Sequence, residues 1–424
     1  MFDLIVVGAG LAGLTAAYTA CRADLRVRVI AKGMGATHWS AGTVDVLGYY
    51  PNGSAEPVQR PLESIQALTE AQPQHPYALL GAAQLSNALQ AFAALTGEIG
   101  LPYIGAANTG ENLLLPSPAG AARPTFLAPQ AQLAGDLRRP DPLLIVGFQG
   151  MRDFFPELIA ANLCKLGHRA RAEFLPLDVI TGRHDSNTVQ LAAGLEHPAR
   201  RSQLAAELRR LVEPGERIGL PAILGMGKHL AVLADLQARA GAPIFEIPTL
   251  PPSVSGIRLD TALRRRLEQL GVRVEAGMEA IGFQAEDGRV LWVETETSAR
   301  PLKHRAAKFL LATGGILGGG FDSDHTGQMW EVVFDLPLTV PQKRSQWFRP
   351  RFLDPAGQPV FQGGVPVSRQ FQPLNPEGSP VYDNLWAAGG LLAHADPIQE
   401  RSLEGIAIAT GAAAARQIVR ISKQ

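Results

Sequence analysis

The feature that most limits what this chain can become is the run Gly8-Ala9-Gly10-Leu11-Ala12-Gly13. A short apolar stretch, Asp3–Val7, leads into it, a small-residue stretch, Leu14–Arg22, leaves it, and Val27–Ile30 is apolar again. That is strand, turn, helix, strand, and the right-handed crossover it demands makes the sheet parallel. At this spacing Gly8 permits the tight turn, Gly10 lets backbone approach a phosphate, and Gly13 lets helix and sheet pack closely. The first helical turn then offers free N–H groups and the positive end of the helix dipole to an anion. Three glycines alone could serve only as a strand-to-helix turn, so the flanking strand and helix are what point to a nucleotide.

With 424 residues and 46% hydrophobic content, the chain is long enough for two domains and a large core. Lysine plus arginine and aspartate plus glutamate number 39 each, so no net field draws the chain to nucleic acid or to an anionic membrane. Phosphate recognition must then be local. Cys21 and Cys164 lie far apart without CxxC or Cys/His spacing, which excludes a sequence-visible zinc or iron–sulfur site and a disulfide framework. No metal is expected, and a reducing, cytoplasmic setting is the natural reading. Leu4 to Cys21 is uncharged, but it follows Met-Phe-Asp and is interrupted by the three glycines, so it reads as buried strand and helix rather than a membrane span or signal segment.

The fold class is α/β, a Rossmann-like nucleotide-binding domain with a parallel sheet plus an inserted α/β second domain. From Gly48 to about Pro142 the pattern loosens, with Pro51, Pro57, Pro61, Pro73 and Pro76 breaking it and one helix expected at about Ala83–Thr96. Leu143–Phe148 starts a second α/β pattern, followed by a helix through about Asp153–Leu166 and strand-like runs at Arg217–Leu224 and Pro243–Glu246. Leu259–Gly271 is an amphipathic, arginine-rich helix, and Glu286-Asp287-Gly288 marks a hairpin between alternating runs. The expected division is 1–95 with 253–320 and 360–424 for the discontinuous nucleotide domain, and 96–252 with 321–359 for a cap, substrate or partner domain.

Three further segments bear on the cofactor. The acidic residue that holds an adenosine ribose at the end of the second strand is missing, for Ala31 stands there, followed by Lys32. A dinucleotide loses a charge-assisted bond at that point, worth about 1.5–3 kcal/mol, and a mononucleotide loses nothing. Thr313-Gly314-Gly315 after a strand, and Gly389-Gly390 near the C-terminus, are similar to the second and third nucleotide-contacting segments of two-dinucleotide-binding-fold flavoproteins. Gly405-Ile406 open an alanine-rich helix whose N-terminus suits the pyrimidine end of a flavin ring. The cofactor expected is FMN, with FAD the alternative in which some other group holds the adenosine. The run from Gly33 to Asp45 is similar to the loop that succinate-dehydrogenase and fumarate-reductase flavoproteins wrap around their cofactor; Ser40, Ala41 and Gly42 are its candidates for close approach. His38 invites the analogy of a covalent flavin link, although a hydrogen-bonded loop histidine is the commoner case.

Taken together, the chain resembles the B subunits of bacterial anaerobic glycerol-3-phosphate dehydrogenases, a family related to the fumarate reductase flavoproteins. The strings that carry the resemblance run in family order: Gly8 to Leu14, Ser40 to Leu47, His75 to Gly81, Val146 to Phe154, and Leu250-Pro251-Pro252-Ser253-Val254-Ser255-Gly256-Ile257-Arg258-Leu259. The resemblance implies a protein that binds FMN, pairs with an FAD-containing A subunit and docks on an iron–sulfur C subunit. It meets the inner face of the cell membrane only through a partner. The complex so implied would oxidise sn-glycerol 3-phosphate to dihydroxyacetone phosphate and pass electrons to quinone. Asp396 to Gly405 departs from the family's glycine- and cysteine-richer tract. Oxidising a secondary alcohol needs a base and a cation for the phosphate, and the catalytic candidates are Arg258, His325 and His394, with Lys343, Arg344, Arg349 and Arg351 reading as a solvated or partner-facing cluster. A stand-alone fumarate-reductase-type enzyme and a non-catalytic assembly protein with a vestigial nucleotide site stay open as alternatives.

Overall fold

Residues 2–183, 186–298 and 300–423 are described by the computed structural model, and they divide into two units. The first holds Met1–Ala36, Asp45–Leu95 and Ala262–Gln424; the second holds Thr37–Val44 and Thr96–Thr261. Segment 321–359 belongs to the first of these and residues 253–261 to the second.

In the first unit, β1 (Phe2–Val7) lies between β2 (Val27–Ala31) and the strand Leu302–Leu311, parallel to both. Arg273–Ala276 extends the sheet parallel beyond β2, and Leu385–Ala387 pairs in parallel with Leu302–Leu311. The N-terminal half of Leu302–Leu311 pairs antiparallel with Arg289–Thr295, which pairs antiparallel with Ala280–Glu286. The hairpin between those two turns through Asp287 and Gly288 at φ 48° and 73°, the left-handed pair that a two-residue connection requires. β1 reads Leu4-Ile5-Val6-Val7, all buried, as a strand covered on both faces must. Helix α1 (Leu11–Cys21) is made largely of small residues, and Gly411 of the C-terminal helix Leu403–Ser422 sits so close that a Cβ there would meet the Ala12 backbone.

The loose region after Gly48 is more helical than its prolines suggest. Pro61 opens a helix to Ala71 and Pro76 opens one to Leu80, each at the first helical position, where the missing N–H has no intrahelical partner to lose. In these two cases proline marks a start rather than a break.

The second unit is built on a four-stranded parallel sheet, in the order Ile244–Ile247, Arg217–Pro221, Leu143–Gln149, Ala170–Pro176. Leu144, Val146 and Phe148 face a core shared with Leu195, Leu208 and Leu236, while Leu143 and Ile145 face Ile159 and Leu163. Alternate residues of one strand thus feed two cores, the mark of a sheet with helices on both sides. No helix among the described residues is long and apolar enough to cross a membrane.

Candidate functional site: glycine turns at one end of the parallel sheet

Register fixes where the candidate segments emerge. Val7 pairs with Ile30 and with Leu311, and Leu311 pairs with Ala387, so the carboxyl ends of these four strands stand level, with β2 running one residue further to Ala31. The residues that follow these pairs, Gly8, Ala31, Ala312 and Ala388, leave the same carboxyl edge side by side. Ligands of open parallel sheets bind outside that edge.

Gly8 has φ 115°, donates its N–H to Ile30 O at 2.8 Å, and has no room for a Cβ because the Ala312 carbonyl stands there. Gly13 is equally confined, by the Gly8 carbonyl and by Val6. The fold itself demands glycine at both positions. Gly10 is different: its φ of −78° and ψ of −177° suit any residue, and a Cβ there would meet nothing within 4 Å. No packing constraint requires glycine at this N-cap, which opens the first turn of α1. That turn has no side-chain cap and no acidic residue, so its N–H groups are available to an anion. Gly35, from the run that begins at Gly33, packs its α-carbon against the Ala9–Gly10 backbone and braces the turn.

The neighbouring segments close around the same edge. Gly314 has φ 79°, Gly315 lies against the Gly390 carbonyl, and the Thr313 hydroxyl is buried without a hydrogen-bond partner among the described residues. Gly389 has φ 89°, receives no side chain because Ala12 Cβ fills that space, and donates its N–H to Thr410 Oγ1 at 2.9 Å. Ala12 and Leu11 are buried packing residues. Ala31 is buried and offers no polar side chain, while the Lys32 ammonium is taken by Glu279 at 2.7 Å. An open glycine cradle, a helix start with unused donors and an orphaned hydroxyl fit a nucleotide phosphate and its attached ring.

Gly405 and Ile406 have a packing role. Gly405 presses on Val46 and the Tyr77 hydroxyl, and its N–H is donated to Asp45 O at 2.9 Å; Ile406 donates to Ser402 O at 2.9 Å. Beneath this helix start lies a polar network that no spacing in the sequence reveals. His75 Nδ1 accepts the Tyr77 N–H at 3.1 Å, which leaves Nε2 to donate to Glu400 Oε2 at 3.2 Å. Ser402 Oγ donates to the same oxygen at 2.7 Å, and Glu400 Oε1 accepts the Asp396 N–H at 3.1 Å. His75, Glu400 and Ser402 are fully buried. His394 stands nearby at φ 69°, and burial, then His75, lowers its pKa. His325 is exposed at the tip of the hairpin formed by Phe321–Ser323 and Met329–Glu331.

In the second unit, the distinctive Leu250–Leu259 string has a structural purpose. Ser253 Oγ donates to Ser40 O at 2.5 Å, Gly256 lies against the carbonyls of Thr37, His38 and Ser40, and Gly42, at φ 70°, packs on Ser255. Ala41 O accepts from Gln132 Nε2 at 3.1 Å, and Tyr103 donates to Gly42 O. Ser40, Ala41 and Gly42 are therefore held by this string and its neighbours. Arg258 is spent in the same way: it is buried, with a two-pronged contact to Glu246 at 2.6 and 2.9 Å and a third bond to Gly225 O at 2.7 Å. His38 Nδ1 lies 3.7 Å from Asp260, beyond hydrogen-bond range.

A fold of this kind, with a phosphate-ready turn at the carboxyl edge, defines a nucleotide-binding flavoprotein, and the family model described as the FAD binding domain matches residues 3–406. The chain is 33% identical over 426 residues to the B subunit of anaerobic glycerol-3-phosphate dehydrogenase of Yersinia pestis bv. Antiqua (strain Antiqua), covering 99% of this chain and 98% of that one. It is 32% identical over 425 residues to the probable B subunit of the same enzyme in Halobacterium salinarum (strain ATCC 29341 / DSM 671 / R1), covering 97% and 96%. Among solved structures, 3-ketosteroid delta1-dehydrogenase from Sterolibacterium denitrificans superposes with a TM-score of 0.46 at 12% identity, covering 99% of both chains. The chain belongs to the FAD binding domain family and, within it, to the family of anaerobic glycerol-3-phosphate dehydrogenase B subunits.

Proposed function

We propose that this chain is the FMN-carrying B subunit of a complex that oxidises sn-glycerol 3-phosphate to dihydroxyacetone phosphate and delivers electrons to quinone. An FAD-containing A subunit and an iron–sulfur C subunit complete it, and the C subunit brings the assembly to the inner face of the cell membrane. The observation that carries the flavin reading is Gly10, a glycine that the fold does not need, opening a helix turn with unused donors at the carboxyl edge of the sheet. A flavin bound there supplies a two-electron acceptor. The chain's own residues do the rest. The first-turn N–H groups of α1 hold the phosphate, Gly10 keeps the approach clear, and the Thr313 hydroxyl supplies a donor. Gly315 and Gly390 keep the neighbouring turns free of side chains.

Ala31 supports FMN over FAD, since the strand end that would bind a second ribose has no carboxylate and its one cation is paired with Glu279. FAD is the second reading, favoured by the description of the matching family. Among the catalytic candidates, His394 keeps the proton-accepting role in this proposal, because it is half-buried and its lowered pKa leaves it neutral. Arg258 serves as a positioning residue, its guanidinium engaged by Glu246 and Gly225. His325 is kept for a solvent-side or partner-side role. The test is to purify the chain, record its visible spectrum, release the cofactor with acid and chromatograph it. FMN supports the reading, FAD transfers it to the second, and a colourless protein that takes up neither overturns it. Co-purification with two partner chains tests the complex.

A further inference from the structure

The two most exposed large apolar side chains among the described residues, Phe352 and Leu353, share one loop with the exposed Phe348. Phe352 is 91% exposed, Leu353 82% and Phe348 57%. Soluble surfaces scatter single apolar residues, but a cluster held in water by a rigid loop needs a reason. This loop is rigid. Gln358, buried, accepts the Arg349 N–H at 2.6 Å and donates to Arg351 O at 2.8 Å and Phe352 O at 3.0 Å. Arg349 Nε donates to Gly357 O at 3.1 Å, Trp347 is anchored through Pro341 O at 2.8 Å, and Gln399 ties Asp354 O at 3.2 Å. A buried glutamine is committed to a backbone shape that points Phe352 and Leu353 away from the protein.

Cations outnumber acids in the sequence around these residues. Lys343, Arg344, Arg349 and Arg351 precede or interleave the apolar residues, and the nearest acid, Asp354, accepts the Ala356 N–H and lies 4.0 Å from Arg349. The whole chain is neutral, so this is a local concentration of cations. A protein interface of ordinary size buries about 800 Å² per partner, far more than three side chains on one loop provide. A bilayer needs no matched shape, only apolar side chains to enter the acyl boundary and cations to meet anionic headgroups.

We propose that the loop Trp347–Gln358 seats this chain directly on an anionic lipid surface, with Phe348, Phe352 and Leu353 entering the interface and Lys343, Arg344 and Arg351 contacting headgroups. The contact is additional to any anchorage through a partner, and it holds whichever flavin the chain carries. Lipid contact places the chain beside the quinone-bearing phase although no helix among the described residues is long and apolar enough to cross a membrane.

The test is co-sedimentation of the full-length chain with phosphatidylcholine vesicles containing phosphatidylglycerol, against vesicles of phosphatidylcholine alone. The parent chain binds the anionic vesicles and loses binding as salt is raised. Phe352→Ser with Leu353→Ser lowers the partition coefficient roughly a hundredfold. Lys343→Gln with Arg351→Gln lowers it roughly tenfold or more on anionic vesicles. All four side chains are exposed, so thermal unfolding of both double variants matches the parent, which excludes misfolding as the cause. A parent chain that ignores anionic vesicles, or double variants that bind as well as the parent, overturns the proposal. So does a Phe352/Leu353 variant that loses a co-purifying protein while the parent ignores lipid, since that outcome assigns the loop to a protein partner.

Discussion

Gly10→Ala separates what the fold needs from what a ligand needs. The backbone at Gly10 has φ −78° and ψ −177°, and a methyl group there meets nothing within 4 Å. Alanine restricts the unfolded chain, a gain of about 0.4–1 kcal/mol. As an N-cap it is poorer than glycine by roughly 0.5–1 kcal/mol. The two nearly cancel, so flavin-free protein should unfold within about 0.5 kcal/mol of the parent. Gly13→Ala is the control: its methyl group runs into the Gly8 carbonyl, and overpacking of that kind costs about 1–3 kcal/mol with or without ligand. The methyl of Gly10→Ala instead fills open space at the turn where backbone must approach the proposed phosphate. Displacing a phosphate from charge-assisted bonds worth about 1.5–3 kcal/mol each weakens flavin binding roughly ten- to a hundredfold. At a ligand concentration about 100 times the parent Kd, the parent gains about 2.7 kcal/mol from flavin, and Gly10→Ala gains only about 0.4–1.4 kcal/mol. Urea unfolding of flavin-free protein, with and without added FMN, reads both terms, and quenching of flavin fluorescence gives Kd directly. If Gly10→Ala binds flavin as tightly as the parent, the turn does not hold the phosphate. If it destabilises flavin-free protein as much as Gly13→Ala, Gly10 is a structural glycine and the cradle reading fails.

Three further outcomes follow from individual side chains. Ala31→Glu restores the carboxylate at the end of β2, so it should tighten FAD about tenfold and leave FMN unchanged in parallel titrations; equal shifts for both would refute the ribose argument. Glu246→Gln weakens the buried partner of Arg258 and should cost about 3–5 kcal/mol in urea unfolding, while Arg258→Met with Glu246→Met recovers only part of it, because the Leu224 N–H and the Gly225 carbonyl lose their partners; a double variant as stable as the parent would show that those two backbone bonds contribute nothing. His229 has its pKa lowered from 6.5 to about 4 by burial, with Arg258 adding to it, so the folded chain stays neutral where the unfolded chain takes up a proton. Stability should therefore be fully present above pH 6.5 and fall by roughly 3 kcal/mol as the pH drops to 4, and His229→Gln should flatten that part of the profile.

Local spacing made part of this molecule readable. The strand, glycine turn, helix and second strand of residues 2–31 are contiguous, and the Asp287-Gly288 hairpin is a two-residue event, so short-range chemistry specifies them. Pro61 and Pro76 misled because proline is equally at home as a breaker and as the first residue of a helix; only the chain after it decides which. The pairing of His75 with Glu400 could not be read, since the two are 325 residues apart. The Leu250–Leu259 string lies between these cases. Its small residues were visible as unusual, but what they serve, the Thr37–Gly42 loop packed against them, lies more than 200 residues earlier, with Ser253 and Ser40 separated by 213.

The same distinction explains why the glycines of this chain cannot be weighed by motif alone. Gly8, Gly13, Gly389 and Gly411 each face backbone or a methyl group closely enough to forbid a side chain, so the fold retains them whether or not a nucleotide binds. Gly405 is held by Val46 and Tyr77 in the same manner, with its N–H spent on Asp45. Gly10 alone in the first turn combines ordinary backbone angles with open space, so its retention can be tested against ligand binding without disturbing the rest. A glycine motif therefore divides into residues that build the edge of the sheet and residues that leave it open. The second kind is the better marker of a site.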